Sequence, residues 1–478
     1  MTDIHDLTVT ELTAAIRDGA VSPVQVTDHY LDRIDRIGGQ VGAFYTVTHD
    51  LARAQAAVAE QSVTAWRRDG QPAGGLPPLT GVPVPIKDLN QVAGVRMTLG
   101  STVYASHVPT EDDYVVAELR SAGIVITGKT ATPEFGLPCY TETAIGPPAR
   151  TPWDLTRSAG GSSGGAAAAV ASGLAPAAQG SDGGGSIRIP ASVCGLFGLK
   201  PSRGRISGGP LVPDLAGLST DGPLARTVAD AALLLDVMAG NYPGDMYTQP
   251  PLPAGETFLG YARRDPGRLK IARSLSVAVP GAGVHPDCVT AWEEASDLLA
   301  ALGHEVTDIE LPFGEDTVGP FITLWYAMAT LVPVGPGQVE QLLPLTQYLR
   351  AQGMELKAAD LMFAQAYLQA VTRSALATLN AYDAILTPTL AQPPVPVGYF
   401  DEVSPAENFE RQKRFTPWTA LYNSSGQPAV SVPLHWTPGG LPIGVMLAGR
   451  MGDEATLISL SAQLEAARPW RGRHPEIW

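Results

Sequence analysis

The chain has 478 residues, 17% of them charged and 45% hydrophobic, with a formal net charge of −15. That acidic balance argues against a nucleic-acid-binding surface, since phosphate contacts need clustered Lys and Arg, and no stretch approaches the ~18 apolar residues of a membrane span. The cysteines, Cys139, Cys194 and Cys288, are odd in number and widely spaced, a usage that fits a reducing compartment and gives no zinc pattern.

The first 65 residues read as helical, with Ser22-Pro23 placing a capping hydroxyl before a proline at the first helical position and opening a helix through about Ile37. A proline-rich loop from Pro77 to Pro85 leads into Ile86-Lys87-Asp88. Tyr114 to Ser121 reads as a helix closed by Gly123, followed by a short buried strand from Ile124 to Thr127. Ala166 to Ser172, uncharged and alanine-rich, predicts a helix buried on every side. A strand, helix, strand unit is expected at Leu275–Val279, Asp287–Leu302 and Val306–Leu311, then a helical aromatic stretch over 312–381, and strands again at Ala384–Pro388 and Ala429–Pro433. Such alternation predicts an α/β fold with one large, mostly parallel mixed sheet covered by helices on both faces. The expected organisation is a helical segment over 1–70 and one large unit over 71–478. With no basic start followed by an apolar run, a soluble cytoplasmic protein is expected.

Three motifs compete for the chemistry. Gly123 to Thr130 matches the phosphate-loop pattern, but a helix precedes it and its middle is β-branched, where a cradle needs a strand first and flexible residues next. Gly160-Gly161-Ser162-Ser163-Gly164 matches the nucleophile elbow of α/β-hydrolases, yet no strand leads into Ser162, and His285, His304, His435 and His474 lie in loop-like contexts. The third pattern is the whole segment from Gly160 to Lys200, in which two serine turns, Ser162-Ser163 and Ser186, sit among glycines that let a backbone approach a small group closely.

That segment, with Val84-Pro85-Ile86-Lys87-Asp88 upstream, Thr151-Pro152-Trp153-Asp154, Asp221-Gly222-Pro223-Leu224-Ala225-Arg226 and Gly426-Gln427-Pro428-Ala429, closely resembles the amidase signature family over nearly the whole chain. The resemblance implies that 71–478 is the catalytic domain, that the 312–381 insertion covers the active site, and that Lys87, Ser162 and Ser186 form a Ser–Ser–Lys triad with a cis peptide bond at Ser162. No metal or cofactor is implied. It also implies that Cys139 and Tyr140 lie where relatives line the acyl pocket.

The residue chemistry agrees with those roles. Amide hydrolysis needs a nucleophile, a base that later protonates the leaving nitrogen, and donors for the oxyanion. The amides of Gly183, Gly184, Gly185 and Ser186 can converge on one oxygen. Burial would keep Lys87 neutral and basic, Ser162 would pass the proton from Ser186 to Lys87, and Ser163 would hydrogen-bond the lysine. Asp182 reads as an acceptor of backbone amides that holds the turn, with general base as the alternative, and Arg188 as a partner of a carboxylate. Lys129 and Lys200 remain competing bases. Trp325 and Trp418 are pocket candidates as well as core aromatics.

The run Ser181 to Ser192 looks most like bacterial amidases acting on small acyl, aryl or nylon-oligomer-type amides, with esters and urethanes left open. The expected partner is a small-molecule amide, with a homodimer left open. The main alternative is the glutaminase subunit of a tRNA-dependent amidotransferase, against which the apolar run at 209–213 counts. A non-enzymatic binding module on the same fold is the other alternative, but it would be expected to lose Lys87, Ser162 or Ser186, and all three are present.

Overall fold

The Ser22-Pro23 signal starts a helix over Pro23–Val41, in which the Ser22 side chain accepts from the Gln25 amide and the Gln25 side chain accepts in return from the Ser22 amide. A computed structural model describes residues 3–72, 75–210 and 215–478 of the chain. Helices Val9–Asp18 and His49–Arg68 flank that element. Between the second and third helices runs β1 (Phe44–Val47), so the first 65 residues are not helical throughout as expected: this aromatic and β-branched run finds a strand partner in β3 (Gly128–Thr130), and with β2 (Ile86–Lys87) they form a three-stranded sheet in the order β1-β3-β2.

Among the described residues the main sheet has eight strands. They are β4 (Ala177–Asp182), β5 (Phe197–Lys200), β6 (Thr220–Ala225), β7 (Lys270–Arg273), β8 (Glu305–Asp308), β9 (Ala384–Pro388), β10 (Ala429–Trp436) and β11 (Pro442–Gly449), in the order β4-β6-β5-β10-β11-β9-β7-β8. The α/β class and the mixed sheet flanked by helices are as expected. The pairing sense is not: β4 with β6, β5 with β6 and β10, and β11 with β10 and β9 are antiparallel, while β7 with β8 and β9 is parallel.

The reason lies in the connections. Strand and helix alternate regularly at β7, helix Pro286–Ala301 and β8, and there the strands are parallel. By contrast β10 and β11 are joined by a tight turn in which the Thr437 amide donates to the Leu441 carbonyl at 2.8 Å, and so short a link permits only an antiparallel return. Two strands are also displaced from their expected positions. The first strand of the unit is Lys270–Arg273 rather than 275–279, because Ile271 and Ala272 are the fully buried pair facing β9. Near Gly123, Val125 makes only an isolated bridge to Pro83, and the strand proper is Gly128–Thr130.

The stretch over 312–381 forms helices Val318–Leu331, Pro344–Glu355 and Ala358–Leu379. No helix among the described residues is long and apolar enough to cross a membrane.

The helix Gly164–Ala171 is buried along its entire length, as its uncharged alanine face requires. It can pack this closely because Gly165 lacks a Cβ: one placed there would lie 2.3 Å from the Ala131 amide nitrogen and 2.5 Å from the Ala43 carbonyl oxygen. Both contacts are with backbone, which cannot swing aside. Gly165→Ala should therefore destabilise the fold by the ~1–3 kcal/mol typical of overpacking, seen as a lowered Tm in thermal denaturation, whereas Ala167→Gly should show no steric penalty.

Candidate active site

Two chain reversals meet under the pocket. β4 ends at Asp182, turns through Gly183, Gly184 and Gly185, and re-enters the helix Arg188–Cys194, which leaves Ser186 between strand and helix. Ser162 and Ser163 sit just before the helix Gly164–Ala171, and the Gly161–Ser162 peptide bond is cis. A backbone hydrogen bond from the Ser163 amide to the Ser186 carbonyl at 3.1 Å ties the two turns together.

The glycine turn is held from two sides. Asp182 accepts from the Gly185 amide at 2.8 Å and the Ile187 amide at 3.1 Å, while Arg188 grips both carboxylate oxygens, Nη2 to Oδ1 at 2.8 Å and Nε to Oδ2 at 3.0 Å. Asn423 completes the group by donating to Asp182 Oδ1 at 2.8 Å and accepting from Arg188 Nη2 at 2.6 Å. Across the turn, Thr419 Oγ1 donates to the Gly184 carbonyl at 2.6 Å. Burial alone would raise the Asp182 pKa, but the guanidinium of Arg188 and the bonds it makes hold the carboxyl well below the usual range. Asp182 is thus a permanent anion that organises the turn, in line with the structural role expected for it and for Arg188.

Lys87, on β2, is completely buried. Its Nζ lies 2.8 Å from Ser162 Oγ, 3.0 Å from Ser181 Oγ and 3.1 Å from the Ser181 carbonyl. Burial lowers its pKa from the usual 10.5 to about 7, against the attraction of Asp221 and Asp182. The competing lysines are occupied elsewhere. Lys129 pairs with Asp88 Oδ1 at 3.3 Å and donates to the Asn90 carbonyl at 2.6 Å, which also removes it from any phosphate loop. Lys200 Nζ donates to the Pro201 carbonyl at 2.8 Å.

Four expectations need correction. Ser163 does not bond Lys87; its hydroxyl donates to the Ser181 carbonyl at 3.1 Å, and Ser181 is the serine beside the lysine. Gly185 gives its amide to Asp182, so among the described residues the amides of Gly183, Gly184 and Ser186 are the ones left without a partner in this turn. Trp418 is fully buried behind the site with its Nε1 donating to the Ser276 carbonyl at 2.9 Å. Tyr140 turns away toward Asp401 Oδ1, 2.6 Å from its hydroxyl, and lines a separate cavity with Glu142. In both aromatic cases a buried ring sends its polar tip to an acceptor that is remote in sequence, the half-buried Ser276 and the exposed Asp401.

Ser186, Gly184, Cys139 and Trp325 line one pocket, with Phe321, Ile322, Leu368 and Val371 from the helices over 318–379. Trp325 stacks on Phe321 with ring centroids 5.6 Å apart. No hydrogen bond joins the Ser162 and Ser186 hydroxyls among the described residues, a looseness common before substrate is bound. Of the apolar run at 209–213, residues 211–213 lie outside the described residues.

Residues the sequence reading missed include Ser181, Asn423 and Gln179. Gln179 accepts from the Lys87 amide at 2.8 Å and donates to Asp221 Oδ1 at 2.7 Å, and burial raises the Asp221 carboxyl to about 7. Ser181 carried a signal, since it directly precedes Asp182 in the same motif. Asn423 and Gln179 carried none.

The family model described as Amidase matches residues 25–458. The chain belongs to the amidase family. A Mycobacterium tuberculosis protein (strain ATCC 25618 / H37Rv) named "Putative amidase AmiB2" is 39% identical, covering 97% of this chain and 96% of its own. Among solved structures, a 6-aminohexanoate cyclic dimer hydrolase superposes with a TM-score of 0.90 at 29% identity over 100% of both chains. A bacterial aryl acylamidase of the amidase signature family superposes at 0.86 with 25% identity, over 99% of this chain and 100% of that one. The fold and family expected from the motifs stand, and with them an amidase, a hydrolase of amides.

The buried Asp182–Arg188 pair should be the most sensitive part of the site. Removing one partner strands the other's charge, so Arg188→Met should cost ~3–5 kcal/mol in denaturant unfolding, while Lys413→Met, at the partly exposed pocket edge, should leave stability nearly unchanged.

Proposed function

We propose that this amidase works through an acyl-enzyme on Ser186, with Ser162 and Lys87 moving the proton. The observation that carries the reading is the buried Lys87–Ser162 contact of 2.8 Å beside a pocket that holds Ser186. A neutral amine has two N–H donors and one lone pair. With its donors turned to the oxygens of Ser181, the lone pair of Lys87 accepts the Ser162 O–H.

The Ser186 oxygen then attacks the amide carbonyl, its proton passing to Ser162 as the Ser162 proton passes to Lys87. The amides of Gly183, Gly184 and Ser186 receive the oxyanion. The proton returns along the same path to the leaving nitrogen, the C–N bond breaks and the amine departs. Water adds to the ester by the same relay, releasing the carboxylate and restoring Ser186. No step requires a metal or cofactor.

The apolar pocket supports linear or cyclic amides with small aliphatic or aryl groups, the class to which the names of the two solved relatives point, with esters and urethanes as further substrates. An apolar wall discriminates by only ~1–3 kcal/mol per methylene, so selectivity should be broad. Glutamine fits poorly: its α-ammonium needs a carboxylate, and none lines this pocket among the described residues. The helices over 318–379 act as the cover of the site. Three buried free cysteines support a cytoplasmic setting.

A fluorophosphonate should add one label per chain, and Ser186→Ala should abolish labelling by intact mass; a label that persists in the alanine variant would move the nucleophile elsewhere. Because neutral Lys87 is the working form, kcat/KM for an acyl anilide should rise with pH through about 7 and level off above it. Lys87→Met should lower kcat by ~10²–10⁴-fold and flatten that rise.

A further inference from the structure

The helix Pro405–Phe415 supplies Phe409, Gln412 and Lys413 to the pocket wall, and Lys413 is the one charged side chain lining it among the described residues. Its Nζ lies 5.7 Å from the Phe409 ring centroid and 2.6 Å from Glu410 Oε1. The Lys413 side chain is 18% exposed and that of Glu410 51%. The ammonium therefore sits where apolar wall meets water, with its present partner on the water side and its methylene stem along the pocket.

The neighbouring cations are engaged away from the pocket. Arg411 Nη1 donates to the Tyr399 carbonyl at 2.6 Å, and Arg414 pairs with Glu407. An exposed ion pair one turn apart on a helix is weak and screened, so Glu410 yields readily to a better placed anion. An anion reaching Lys413 from the pocket meets the same charge with aromatic and aliphatic groups around it instead of water, where the attraction is stronger. A neutral substrate gains nothing from this lysine, and a substrate ending in a cation is repelled by it.

We infer that Lys413 binds a carboxylate at the far end of the substrate's apolar acyl chain, so that the preferred substrates are half-amides of dicarboxylic acids. This rests on the reading that Ser186 receives an acyl group held in this pocket, and it narrows that reading. The chain's carbonyl end lies on Ser186, its methylenes pass Trp325 and Phe409, and its charged end stops at the pocket edge. Lys413 sets specificity and takes no part in bond breaking.

Three p-nitroanilides with a common leaving group test it: hexanoyl, 5-carboxypentanoyl and 6-aminohexanoyl. The wild type should favour the carboxylate over the neutral chain on the order of tenfold in kcat/KM, the scale of one charge-assisted hydrogen bond, expressed in KM and weakened by salt. Lys413→Met should bring that ratio close to one, Lys413→Arg should retain it, and Lys413→Glu should reverse it in favour of the aminohexanoyl chain. Equal fluorophosphonate labelling of each variant checks that its site is assembled. A ratio unchanged by Lys413→Met, or a wild type that prefers the aminohexanoyl chain, would overturn the assignment of Lys413 while leaving Ser186 chemistry intact. A wild type that cleaves none of the three would overturn both.

Discussion

The Asp182–Arg188 pair is the constraint on which the site depends. A run of three glycines has little conformational preference of its own, and a serine carried on it would wander. Asp182 removes that freedom by accepting amides from the far side of the turn, and Arg188 keeps the carboxylate charged and oriented in a fully buried place. Asn423 and Thr419 then lock the arrangement to the segment that precedes β10. Because Asp182 ends a strand of the main sheet and Arg188 begins the helix after it, the turn inherits the rigidity of both elements.

Three buried lysines show how placement divides one chemistry into different roles. Lys129 meets a carboxylate, Asp88, and becomes half of an ion pair. Lys200 is fully buried, and its Nζ donates to a carbonyl. Lys87 is set beside hydroxyl groups, close to carboxylates yet bonded to none; burial lowers its pKa to about 7, as it does that of Lys200, so the serine oxygens around it rather than its pKa set Lys87 apart. Strand β2 makes this placement possible, because its parallel pairing with β3 puts Lys87 opposite Thr130 at the edge of the small sheet.

Much of this was legible in the chain itself. The Gly160–Lys200 motif, with the lysine motif upstream, pointed to the family and to the three residues that now lie around one site. The capping pair Ser22-Pro23 and the alanine-rich buried helix also read correctly, because each depends on neighbours within a turn or two. Where the reading went astray, a distant partner decided. Ser181 rather than Ser163 faces Lys87, and Trp418 and Tyr140 turned toward Ser276 and Asp401; the Gly185 amide is the local exception, going to Asp182 three residues before it rather than to an oxyanion. The sheet's pairing sense belongs with these, since one regular strand and helix repeat was extended to connections that do not share it.

By itself the sequence determined much of the local grammar of this protein: where several helices start and are buried, where the turns tighten, and which residue types are gathered in the glycine-rich motif. Those are set by backbone preference, capping and side-chain chemistry over short spans. The tertiary structure alone decided how deeply Lys87 is buried, and that the pocket is apolar with, among the described residues, a single cation at its edge. Each of those properties is a matter of solvent exclusion and long-range hydrogen bonding, and neither exists until segments hundreds of residues apart have packed together.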